Sequence, residues 1–312
     1  MKQWGQWLET ALFPNVTDQW LTFLRLGLGL EVVLNVLALK NDWNYLFASS
    51  QDLTTAKVSE ALLSLTGPFA PRLRWLIEIG AYLGLTEQAV ISTVWWGLLV
   101  AGFGLLIGSW SRTCALLAWF LHLSVVKSGG LVSYGVDQFM TIGLFYLMLS
   151  PLPDRWSFDY WLRNKRPTHP ELLGFWRRGL QVHLCIIYFF GGLTKCLGNG
   201  WWDGSNLWRA LIRPPFNLIP PEILVRWHNF FPLAGILICL IEIAYPAFIW
   251  PRSTRALWLT AIIGMHVAIG LAMGMYLFAL VMVVLNIAAF GPDMVWRRQP
   301  IQLEQEQVVA SA

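Results

Sequence analysis

Between residues 20 and 291 the chain returns repeatedly to apolar runs of the length a lipid bilayer asks of a helix, about 20 residues. Eight such runs stand out, at about 20–39, 89–109, 113–129, 135–150, 179–195, 230–249, 256–273 and 276–291. A helix that is apolar on every side has no face to give to water, so these runs belong in lipid or in a buried core. Composition decides between the two. Only 13% of the 312 residues are charged, against about 25% in ordinary soluble domains, and 56% are hydrophobic. Too little polar surface remains to clothe a large soluble core. The expectation is an all-α, polytopic membrane helix bundle of about eight spans. Seven or nine stay open, because 135–150 is short and only Gly274 and Met275 part the last two runs, as in a broken helix or a tight hairpin.

The whole chain, 1–312, reads as a single transmembrane domain. Residues 1–19 lack the uninterrupted apolar core of a signal peptide. Their Trp4, Trp7, Leu8 and Leu12 instead suggest a helix lying in the interface, so the first span is expected to be a retained anchor. Residues 297–312 form a polar C-terminal tail. Two longer polar sections, 40–88 and 196–229, are expected to be helical caps; the first divides into pieces at about 54–65 and 69–82 around Gly67-Pro68. With the N-terminus inside, 12 Lys and Arg fall on the cytoplasmic side, six of them in the connector 151–178, against nine on the other. The positive-inside rule then puts both termini in the cytoplasm and both caps outside.

The net charge of +4 comes from scattered residues without interleaved stacking aromatics, which argues against nucleic acid and fits membrane lipids as partners. Cys114, Cys185 and Cys239 lie in apolar segments and read as small buried hydrophobes; Cys196, beside Lys195, is a lesser candidate for reactivity. No His/Cys grouping has metal-ligand spacing, no G-x-S-x-G elbow occurs, and the glycines of GLGLEV and GFGLLIG lie in spans, where they let helices approach.

Polar residues inside the spans are the candidates for chemistry, since a charge at the bilayer centre costs about 2.5 to 3.5 kcal/mol on insertion scales. Arg25, Glu31 and Asn35 should face protein or a polar cavity, with Arg25 close enough to an end to snorkel. Glu242 sits in GILICLIEIAY with nothing nearby in sequence to explain it. Lys195 ends an apolar run and is followed at once by LGNGWWDG, a helix-breaking, aromatic cluster suited to a lipid boundary. Such a lysine either fixes helix depth or, where desolvated, serves as a base. His183 lies 12 residues earlier, about 18 Å along a continuous helix, and reads as structural. His266, among Gly264, Gly270 and Gly274, is the better histidine candidate.

The segment RRGLQVHLCIIYFFGGLTKCLGNGWWDGSNLW, residues 177–208, resembles the region around the active-site lysine of vitamin K-dependent gamma-carboxylases. It is also similar to the bacterial horizontally transferred transmembrane domain (HTTM) family, which shares their membrane part. The shared features are an Arg-Gly start, an aromatic end to the span, a Gly-hydrophobic-x-Lys turn and a Trp followed closely by Gly. The basic connector NKRPTHPELLGFWRRG and the late segments WHNFFPLAGILICLIEIAYP and GMHVAIGLAMGMYLFALVMVVL are similar as well. The resemblance implies Lys195 as catalytic base, His266 at a matching histidine, and a reduced, vitamin K-like quinone as cofactor. It further implies a peptide or lipid-soluble substrate and a bacterial inner-membrane location; relatives include components that help mature secreted peptides.

Two readings therefore stand side by side. The first is a membrane enzyme with Lys195 as general base. The second is a non-enzymatic scaffold or accessory subunit that packs against other membrane proteins through a Trp-rich exterior, with Lys195 tied to a carboxylate or a lipid headgroup. A transporter route through Glu31, Asp137 and Glu242 ranks third, because no inverted halves are visible.

Overall fold

The computed structural model describes residues 10–48, 54–130, 132–167 and 169–292, and all regular structure among them is helical. The long helices fall where the apolar runs are: α1 (Gln19–Ala38), α5 (Glu87–Ile107), α6 (Ser111–Ser128), α7 (Gly135–Leu149), α9 (Leu172–Cys196), α13 (Phe231–Phe248), α14 (Arg252–Met273) and α15 (Tyr276–Phe290). Among the described residues, four segments are long and apolar enough to cross a membrane: Gln19–Ala38, Glu87–Ile107, His228–Phe248 and Arg252–Met273. Gly135–Leu149 and Tyr276–Phe290 are shorter apolar helices. Helix α9 has the length, but Arg177, Arg178, Gln181, His183 and Lys195 make it more polar than the others.

Both polar sections are helical. The first holds α2 (Trp43–Phe47), α3 (Thr54–Thr66) and α4 (Leu73–Tyr82); the second holds α10 (Asn199–Trp202), α11 (Ser205–Ile212), α12 (Pro221–Arg226) and a 3-10 turn, His228–Phe230. A short α8 (Phe158–Trp161) lies in the basic connector. Of the interfacial helix expected over 1–19, residues 1–9 lie outside the described part. Residues 10–12 are helical, and the chain is irregular from there to Asp18. The tail 297–312 also lies outside the described residues.

Two helix groups share one member. Helix α1 packs on α5, α7 and α15, with α6 against α5 and α7; α9 packs on α13, α13 on α14, and α15 on both α14 and α9. Apolar burial alone does not drive helices together in lipid, so small residues and polar pairs carry the specificity. At the α1–α5 crossing, a Cβ on Gly29 would lie 3.0 Å from the Leu106 nitrogen and 3.1 Å from the Gly102 oxygen, so the backbones nearly touch. The last two helices form a tight hairpin rather than one broken helix. Gly274 turns the chain with φ at 71°, a conformation a side chain resists.

Two features differ from the sequence expectations. Arg25 does not snorkel. It is fully buried, donating from Nε to Asp154 Oδ2 at 2.5 Å, from one terminal nitrogen to the Leu105 and Leu106 carbonyls, and from the other to Asp154 Oδ1 and the Trp156 carbonyl. A folded-back connector brings Asp154 to it, which no local pattern announces. Helix α9 begins at Leu172 instead of about 179, because Arg177 and Arg178 find acceptors inside the protein. Arg177 Nε donates to the Ala289 carbonyl at 3.0 Å, and Arg178 Nε to the Ala11 carbonyl at 2.9 Å.

Candidate functional site

Lys195 lies in the last turn of α9, where Gly198 breaks the helix and α10 folds back with Trp201 and Trp202. Its Nζ donates to Glu242 Oε2 of α13 at 2.5 Å. The side chains are 25% and 8% exposed, so the pair sits at the edge of the packed interior. The Trp201 ring centroid is 5.5 Å from the same nitrogen, within reach of a cation–π attraction. This closeness of α9 and α13 depends on glycine. Gly192 lies against the backbone of Glu242 and Ile243, while a Cβ on Gly191 would stand 3.4 Å from Glu242 Oε2 and 3.8 Å from Lys195 Nζ.

Two turns deeper along α9, about 10 Å at 1.5 Å per residue, Tyr188 opens a second, wholly buried network. Its hydroxyl is 2.9 Å from His266 Nε2 of α14 and accepts a hydrogen bond from Asn286 Nδ2 of α15 at 2.7 Å. Tyr245 of α13 donates to Asn286 Oδ1 at 2.8 Å, and the Tyr188 and Tyr245 rings pack with centroids 4.3 Å apart. Asn286 also donates to the Met282 carbonyl at 2.8 Å. Three helices are thus joined through one amide, and α14 is added through the Tyr188 hydroxyl. His266 is 4% exposed, and its Nδ1 is buried without a hydrogen-bond partner. His266 therefore does not touch Lys195; what connects them is α9, which carries both Lys195 and the Tyr188 that meets His266.

The other histidines and acids of the spans and their connectors separate from this site. His183 is 3.3 Å from the Tyr146 hydroxyl, and His122 Nε2 is 3.2 Å from the Asp137 carbonyl. Asp137 caps its own helix by accepting from the Tyr134 amide at 2.9 Å, which removes it from any shared route with Glu242. Asp203 likewise caps, accepting from the Ser205 amide at 2.8 Å; that bond, with the Ser205 hydroxyl and Arg209, holds its carboxyl below the usual range. Glu31 is the exception. It faces protein, as expected, and is fully buried, yet neither carboxylate oxygen has a hydrogen-bond partner. Among the described residues no three His, Cys, Asp or Glu side chains come together as a metal site.

Sequence reasoning passed over Tyr188, Tyr245 and Asn286. The signal for Asn286 was available: it is the lone amide in YLFALVMVVLNIAAF, and a lone amide in an apolar helix needs a partner. Tyr188 and Tyr245 carry no such mark, since tyrosine is frequent near span ends. No family model, curated protein or solved structure matches the chain.

Proposed function

We propose that this chain is a polytopic membrane enzyme of the HTTM type, resembling the core of vitamin K-dependent gamma-carboxylases, with Lys195 as its general base. In this reading the eight long helices all cross the bilayer, α9 and the two short apolar helices being accommodated by their neighbours. The termini face the cytoplasm of a bacterial inner membrane. Lys195 then opens on the extracytoplasmic side beneath the cap 196–229.

The observation that carries the proposal is the Lys195–Glu242 pair itself. It is sheltered yet reachable, and its amine has a single hydrogen-bonding partner, although an ammonium offers three donors. A lysine acts as a base only once it has lost its proton, and a carboxylate at 2.5 Å is placed to take it. Proton transfer within the pair leaves a neutral amine and a neutral acid, which a low-dielectric site tolerates better than separated charges. The Tyr188–His266–Asn286 network fixes the floor of this region, so His266 acts in orientation and is a candidate for relaying protons at its free Nδ1.

The surroundings suit a flat, lipid-soluble ring. Trp201 offers an aromatic face beside the amine, Gly191 leaves room next to the pair, and Phe190, Leu197 and Trp202 are exposed apolar neighbours. A reduced quinone would supply an acidic hydroxyl and, with oxygen, the oxidising power to make a base strong enough for carbon acids. The chain's own part would be to hold that hydroxyl at Lys195, keep water away, and take its proton onto the amine from which Glu242 has already removed one.

The test is oxygen consumption by the purified chain in lipid nanodiscs, supplied with reduced vitamin K. Wild type is expected to consume oxygen and Lys195→Ala, verified as folded by gel filtration, to lose at least tenfold in rate. A folded Lys195→Ala protein with full activity overturns the proposal. The scaffold reading is favoured by the clamp-like geometry of the same ion pair. It gains if neither protein consumes oxygen and the wild type copurifies with membrane subunits that Lys195→Ala loses.

A further inference from the structure

Helices α9 and α13 run antiparallel. The Tyr188 and Tyr245 rings meet at a tilt, and one turn on, Gly192 lies against Glu242 and Ile243. Going up α9 therefore means going down α13. One turn further along each helix, Cys196 of α9 comes opposite Cys239 of α13, between the contact at Gly192 and the contact of Gly235 with Trp201. The glycine contact at Gly192, one turn away, means the two backbones are close there, as a disulfide between facing helices requires. All four cysteines are free, but these two differ from each other in access. Cys196 is partly exposed at the end of α9, whereas Cys239 is fully buried. Cys185 is buried at a deeper level of α9, and Cys114 lies on α6, in the other helix group.

We infer that Cys196 and Cys239 form a dithiol–disulfide exchange pair, Cys196 as the entry thiol and Cys239 as the resolving thiol, acting on disulfides presented at the face where Lys195 opens. The thiolate of Cys196 attacks one sulfur of an external disulfide, breaking its S–S bond, forming a mixed disulfide and releasing one thiolate, which takes up a proton. Cys239 gives up its proton and attacks Cys196 Sγ. The mixed disulfide breaks, the second external thiol leaves, and the Cys196–Cys239 bond forms. Two protein thiols are oxidised and one external disulfide is reduced to two thiols. The new bond would fasten α9 to α13 directly beside Lys195, so the oxidation state of the pair sets how freely Lys195 and Glu242 separate. This inference rests on the register and the thiols and does not require Lys195 to be a base.

The full chain in nanodiscs is incubated with oxidised glutathione, quenched with acid, alkylated under denaturing conditions and mapped by mass spectrometry. Wild type is expected to lose two of its four alkylatable thiols as a 196–239 crosslink, with little glutathione retained. Cys239→Ser is expected to stop as the glutathione adduct on Cys196, and Cys196→Ser to remain unmodified at position 239. If wild type accumulates the Cys196 adduct as much as Cys239→Ser does, no resolving step exists and the inference fails. It fails equally if wild type stays fully reduced under conditions that oxidise a control dithiol, or if position 239 is modified first. Should Cys239→Ser not fold, the crosslink map of wild type alone decides the matter.

Discussion

Two sheltered cation–carboxylate pairs, Arg25–Asp154 and Lys195–Glu242, are built differently. Arg25 and Asp154 are both wholly excluded from solvent, and every side of the pair is occupied. Three carbonyls share the guanidinium, while the Thr22 hydroxyl at 2.8 Å and the Trp156 amide at 3.0 Å complete Asp154. Lys195 and Glu242 have one hydrogen bond between them and an open edge. A saturated pair has no capacity left for a ligand and can only hold helices together. An unsaturated one keeps donors in reserve, at some cost in stability, which is what a site for proton transfer needs. The difference teaches that burial of charge alone says little; the number of partners separates a pair that can only hold helices from one with donors to spare.

The comparison can be broken most readily at the saturated end. Arg25→Met leaves the Asp154 carboxylate buried without its cation and is expected to cost about 3 to 5 kcal/mol, read as a collapse of the thermal melt in detergent. A loss under about 1 kcal/mol, the range of exposed pairs, would put the two pairs in one class. Lys195→Met should cost less, about 3 kcal/mol at most, because the open edge lets water reach Glu242. The double variant Lys195→Met, Glu242→Leu should recover most of that loss in the same melt while leaving the oxygen-consumption assay silent. Recovery of stability together with activity would show that the pair is structural only.

Asn286→Leu strips partners from the buried Tyr188 and Tyr245 hydroxyls and is expected to cost about 1 to 3 kcal/mol. It also unties His266 from its neighbours. If Lys195 works independently of that network, the rate of the folded variant stays within about twofold of wild type by the transition-state relation; a larger drop joins the two networks functionally.

The smallest effect concerns a carboxylate in the connector. Burial pushes Asp159 up, but the Ser111 amide and hydroxyl, the Trp110 amide and the Lys165 charge outweigh it, and its carboxyl titrates below the usual Asp value. A depressed folded value means that its stabilisation is complete above the unfolded value, about 3.9, and is lost as pH falls through the lower folded one. Asp18 is pushed the other way by burial, so the wild-type acid curve mixes both signs. The difference between wild type and Asp159→Asn isolates the effect: their melts should converge as the pH drops below about 4.

Much of the helical layout was legible from hydropathy. The limits of α5, α7, α14 and α15 come out within a few residues of the expectations, and so do the two helices of the first cap. Periodicity says which residues turn inward, but not what they meet. Arg25 and Asp154 are 129 residues apart in the chain, and Lys195 and Glu242 are 47 apart. Glu242 was suspicious because nothing near it in sequence explained a carboxylate, and its partner turned out to be the one lysine already singled out. Arg25 was misjudged because nearness to a span end suggested escape to water, when a returning connector supplied the acid. Cys239 passed as a small hydrophobe, since a thiol's apolar surroundings say nothing of a second thiol across the interface.

Helix α15 belongs to both helix groups, pressing on α1 with one side and holding Asn286 toward Tyr188 with another. Such a shared wall is stiff: moving α15 would loosen both helix groups at once. Room for a guest beside Lys195 would have to come from the other flank, where the short helices 199–212, which carry Trp201, would swing outward like a hinged awning.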